Sequence, residues 1–71
     1  MTSDEIKVAL KRMDELRAYG VRLLLDNGTT VLAHEWHDDD IKDGLLRVMV
    51  RGRHAMIAIS RIILIEAVPP P

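Results

Sequence analysis

Residues 21–36 read VRLLLDNGTTVLAHEW, and the fold turns on them. Two apolar, partly β-branched runs flank Asn27-Gly28, the dipeptide most at ease with positive φ at both centres of a type I′ turn. The reading is a hairpin that joins strands over about 21–26 and 29–36.

Upstream the texture is helical. Ile6, Ala9, Leu10, Met13 and Leu16 recur at three- and four-residue spacing, with Lys7, Lys11, Arg12, Asp14 and Glu15 on the other faces. Thr2 with Glu5 fits a capping box, Asp4 and Glu5 suit the positive helix end, and Gly20 is a natural stop, which predicts a helix over 3–19. Downstream, LLRVMV, RHAMIAIS and IILIEAV predict strands over 45–51, 53–59 and 61–68, with a bend at Arg51-Gly52. Residues 37–44 are polar and should form the longest loop, and VPPP should leave an extended, disordered tail at 69–71. The sum is a single domain, residues 1–71, mainly β with one N-terminal helix. A five-stranded, strongly bent antiparallel barrel of SH3-like or OB-like kind suits that order and length.

A chain of 71 residues buries only about 60% of the surface its unfolded form exposes, so an isolated monomer is marginal. With no cysteine, disulfides and thiolate zinc sites cannot supplement the core. RHAMIAISRIILIEAV, 53–68, carries one charged residue in its middle, Arg61, and otherwise alternates weakly, so both faces of the last two predicted strands are largely apolar, and a free edge of that kind invites pairing. A strand-paired homo-oligomer is therefore expected. The N-terminal MTSDEIKVAL is acidic where a secretion signal is basic, and IILI at 62–65 is too short to cross a bilayer. A cytoplasmic protein with no membrane partner is expected. The net charge of −1 gives no global field for nucleic acid, so any such binding is local.

The stretch HEWHDDD, 34–40, holds most of the residues capable of chemistry. On a strand only alternate residues share a face, which pairs Glu35 with His37, or His34 with Trp36, and leaves one chelating pair where zinc needs at least three ligands. HEWH is one residue short of the H-E-x-x-H metalloprotease signature, and DDDIKD lacks the glycine and terminal glutamate of a calcium loop. No phosphate loop or catalytic triad is spelled out, so neither an enzyme nor a cofactor is expected. Trp36 reads as a packed side chain rather than a platform for bases.

In segment order and short motifs the chain resembles the Sm and Hfq family of small barrels over about residues 3–68. VRLLLDNG is similar to the opening of the first Sm motif; five residues past Gly28, where Sm chains carry glycine, stands Ala33. That motif continues with an aromatic residue, an aspartate and an asparagine that line the RNA site. Counting from the hairpin puts Asp39 and Asp43 at the aspartate and asparagine, whereas aligning on the aromatic puts Trp36 and His37 at the aromatic and aspartate. The Arg-Gly turn of the second Sm motif is matched at Arg51 and Gly52, and Arg53-His54-Ala55 is similar to the Lys-His-Ala run of Hfq. The resemblance implies an Sm-like ring that binds RNA weakly at a pore-facing bend, through Arg51, Gly52, Arg53 and His54 with Asp39 and Asp43. A ring would gather one basic bend per subunit around an axis, concentrating charge that can hold phosphate without reading sequence. The alternative is an oligomeric SH3-like scaffold or protein-interaction module with no nucleic-acid role. A metal protein or enzyme using His34, Glu35 and His37 ranks last.

Overall fold

The computed structural model describes all 71 residues, the side chains of Asp38 and Asp39 excepted. Helix α1, Ser3–Glu15, precedes six strands: β1 Gly20–Leu25, β2 Thr30–Ala33, β3 Glu35–Lys42, β4 Leu45–Val50, β5 Arg53–Ala58 and β6 Ile62–Val68. A single 3-10 turn, Ile59–Arg61, links β5 to β6. The strands form two antiparallel three-stranded sheets, ordered β2-β1-β6 and β3-β4-β5. Among the described residues no helix is long and apolar enough to cross a membrane.

The helix starts as its sequence dictates. Thr2 caps it, its hydroxyl accepting from the Glu5 amide at 3.2 Å while its own amide donates to the Glu5 carboxylate at 2.8 Å. These bonds to Thr2 hold the Glu5 carboxyl below its ordinary value. Because the folded value is depressed, the stabilisation is present above the unfolded value and is lost as pH falls through the folded one. The end of the helix corrects the expected stop at Gly20. Leu16 is the C-cap, Arg17 takes the left-handed conformation at φ 55, and the Arg17 and Ala18 amides donate to the Asp14 and Met13 carbonyls. That is a Schellman closure with arginine at the position glycine usually fills. Gly20 instead opens β1, where a Cβ would meet the Ala33 carbonyl oxygen at 3.0 Å. Leu16, expected on the core stripe, is the C-cap within this closure and is exposed.

The β1–β2 turn also differs from expectation. The Gly28 amide donates to the Leu25 carbonyl and the Leu25 amide to Thr29, while Gly28 alone has positive φ, at 84°. This is the three-residue loop in which a turn is followed by a left-handed glycine, not a type I′ pair. The Asn27 side chain accepts from the Thr29 amide at 3.0 Å, an Asx-type bond that holds asparagine at negative φ. Type I′ geometry falls at two other places, Asp43-Gly44 (φ 55 and 75) and Arg51-Gly52 (φ 52 and 76).

The largest correction concerns residues 37–44. They were expected to loop, yet β3 runs to Lys42 and only Asp43-Gly44 turns. A strand whose outer face meets solvent tolerates polar side chains there, because its ladder is made by the backbone. Five predicted strands are thus six, because the second breaks at His34. Ala33 and Trp36 are buried while His34 and Glu35 between them are exposed, so the two-residue period slips once and the chain bends from one sheet into the other. The register of β3 on β4 also shifts between Trp36, opposite Val48, and Ile41, opposite Leu46.

One core fills the space between the sheets and the helix. Ile6 and Leu10 from α1 meet Val21, Leu23 and Leu25 of β1, Trp36 of β3, Leu46 and Val48 of β4, Ile57 and Ile62. Trp36 is the only buried aromatic among them, and its indole N–H donates to the Leu10 carbonyl at 3.3 Å. Replacing Trp36 by alanine should cost about 3–5 kcal/mol through lost packing. Trp36→Phe, which keeps most of the volume but not the N–H, should cost about 1–2 kcal/mol. Urea unfolding followed by far-ultraviolet circular dichroism measures both.

Candidate nucleic-acid interface

The bend between β4 and β5 is built by register. Val50 lies opposite Arg53, leaving two residues to reverse the chain, and positive φ at both Arg51 and Gly52 matches the twist of the flanking strands. Nothing approaches within 4 Å of where a Gly52 Cβ would stand, so glycine is required here by backbone conformation rather than space. Arg51, Arg53 and His54 are all exposed. The described residues form three ion pairs, Arg22–Glu66, Arg47–Asp40 and Arg61–Asp26, and the arginines of the bend belong to none of them.

The four consecutive positions of the bend do not form one patch. Along the outer face of the second sheet, His54 lies across from Met49, which lies across from Glu35. His54 therefore joins Glu35, His37, Asp40 and Arg47 around a small cleft of about 100 Å³. Arg51 instead borders a separate groove against β2. The bend thus presents the Arg51 guanidinium on one side and the His54 imidazole beside carboxylates on the other.

Asp43 is not part of either cluster. It sits in the β3–β4 turn, at the far end of the six-residue β4 from Arg51, a separation of about 20 Å at strand rise. Within the chain Asp43 and the basic bend do not meet. The side chain of Asp39 lies outside the described residues.

The remaining members of HEWHDDD spread over three environments. His34 occupies the bend between the sheets, its ring 5.3 Å from that of Tyr19 in an edge-on arrangement. Glu35 and His37 are exposed on one side of β3, with Trp36 buried between them. Asp40 pairs with Arg47 at 2.8 Å. Among the described residues no three His, Asp or Glu side chains are placed to hold a metal ion. With Trp36 in the core, Tyr19, half-exposed, is the aromatic ring still open to solvent.

Sequence reasoning missed Arg47 and Met49 of the cleft and Arg22 and Thr30 of the groove, and weighed His34 only as a metal or catalytic residue. Strand parity on β4 does put Arg47 and Met49 on one face, but their neighbours across the sheet depend on a register that the assumed loop at 37–44 concealed.

No protein-family model, curated protein or solved structure matches the chain. The likeness to Sm and Hfq chains thus rests on the short motifs alone. Turn geometry makes a direct prediction at the bend. Gly52→Ala should lower stability by about 1–2 kcal/mol from backbone strain alone, read as a shift in the urea midpoint, with no change in far-ultraviolet circular dichroism at low denaturant.

Proposed function

We propose that this chain is a strand-paired homo-oligomer of the Sm-like or Hfq-like small-barrel type that binds single-stranded RNA weakly through Arg51, Gly52, Arg53 and His54. The observation that carries the reading is two of the four sheet edges. β2 and β3 end their sheets where the bend at His34 joins them, whereas β5 and β6 end the opposite sides, each hydrogen-bonded to one neighbour, and Met56, Ile63 and Leu64 are exposed on them. An edge of apolar strand is a template for another copy, and pairing β5 of one copy with β6 of the next is a head-to-tail contact that generates a ring if the rotation closes. Such an assembly repeats the bend once per subunit. It supplies a local field that the net charge of −1 does not give a monomer.

The second reading is an oligomeric scaffold with no nucleic-acid role. Its support is the solvent face of α1, where Val8 is exposed beside a shallow depression lined by Met1, Ala9 and Met13. Light scattering should give a mass of several subunits for the native chain, and Ile63→Glu, which sets charge on the β6 edge, should reduce it towards 8.0 kDa. A labelled uridine-rich or adenine-rich oligonucleotide should bind at low salt and weaken with added salt, and with Arg51→Ala or Arg53→Ala. A stable assembly with no RNA affinity at low salt would select the scaffold, and a monomeric native chain would defeat both readings.

A further inference from the structure

We propose that Arg22, Thr30, His34 and Arg51 form a phosphate-binding groove that holds the backbone of the bound RNA strand, an assignment to RNA that rests on the reading above. The groove, of about 370 Å³, runs between the outer face of the β1–β2 pair and the β4–β5 turn, and Val31, Leu32 and Val50 complete its lining. Arg22 enters from the middle strand of the first sheet, directly across from Leu32, and Arg51 from the turn. Two guanidinium groups offer forked N–H donors that match phosphate oxygens, and the Thr30 hydroxyl adds a further donor. His34 stands at the bend between the sheets, braced edge-on by Tyr19.

The sign of charge singles this groove out. The cleft around His54 contains Glu35 and Asp40, that under the C-terminal end of α1 contains Asp14 and Glu35, the depression on α1 contains Asp4 and Glu5, and that beside Met56 contains Asp40. Among the described residues, the lining between β2 and the basic bend has two arginines, a histidine and no carboxylate. Glu66, across from Arg22 on β6, approaches it at 3.9 Å, with both side chains about half-exposed. A contact of that length between exposed groups holds little energy, so a phosphate can take the Arg22 guanidinium from it. Leu32, 41% exposed, and Val50 give the same groove an apolar wall against which a ribose or base can lie. The four polar residues come from positions 22, 30, 34 and 51, which no linear motif unites.

The test uses adenosine 5′-monophosphate, with inorganic phosphate as the arm that lacks the nucleoside. In amide-resolved NMR titrations the nucleotide should shift the resonances of Arg22, Thr30, His34 and Arg51, with inorganic phosphate causing weaker shifts at the same amides. Arg22→Ala and Arg51→Ala should each weaken nucleotide binding about tenfold. Glu66→Gln, which releases Arg22, should tighten it. Lys7→Ala removes the same charge from the exposed face of α1 and should leave binding unchanged. Absence of shifts at these amides, or equal loss in Lys7→Ala, overturns the groove. With a uridine-rich strand, Arg22→Ala should also reduce the slope of log affinity against log salt by about 0.7, the value for one lost phosphate contact on a single strand. Nucleotide binding in the groove without RNA binding would defeat the RNA reading and leave the groove standing. RNA binding with unchanged slope and affinity in Arg22→Ala would do the reverse.

Discussion

The structure depends on how one helix is held to the second of two sheets, and Trp36 of β3 holds it. An α-helix of 13 residues is too short to persist in water on its own propensity, and α1 offers only Ile6 and Leu10 as fully buried residues. The indole supplies a broad apolar surface beneath that narrow stripe and an N–H to the Leu10 carbonyl. It thereby fixes both the distance of the helix from β3 and its position along it. The same side chain sets the parity of β3. With Trp36 inward, Glu35 and His37 must face out, and the residues of HEWHDDD that looked most chemical are committed to the surface.

Much of this was legible in the sequence, and the misses share a cause. The three- and four-residue spacing of Ile6 and Leu10, the capping box at Thr2 and Glu5, and the mainly β texture after Gly20 are local signals, and local signals survive folding. The errors fell where tertiary context overrides composition. Residues 37–44 read as a loop because polarity resembles a turn, but a ladder is made by backbone groups, and Ile41 and Lys42 stand opposite Leu46 and Leu45 of β4. Glycine was assumed to end the helix, whereas Arg17 accepts the left-handed position and Gly20 is needed where the chain passes close to the Ala33 carbonyl. The signal that could have placed the break in the second strand was present. Two polar residues, His34 and Glu35, stand between Ala33 and Trp36 where strict alternation allows one.

The site was legible only as residue types. Arg51-Gly52 declares a turn, and the turn is there, but which surface each side chain joins follows from parity and register together. Arg51 and His54 are three positions apart and border different surfaces. The groove that gathers Arg22, Thr30, His34 and Arg51 draws on both sheets, and pairings between strands distant in the chain are what a linear reading resolves least.

The ladder between β1 and β6 carries a further consequence, one of timing. Gly20 pairs with Val68 and Leu23 with Ile65, so the middle strand of the first sheet gains its second neighbour from the far end of the described chain. During synthesis β1 leaves the ribosome with VRLLL exposed and waits while the β3-β4-β5 meander, whose contacts are local, can already form behind it. The core closes only when β6 has emerged. For this chain the interval of greatest exposure lies between the making of its first strand and its last.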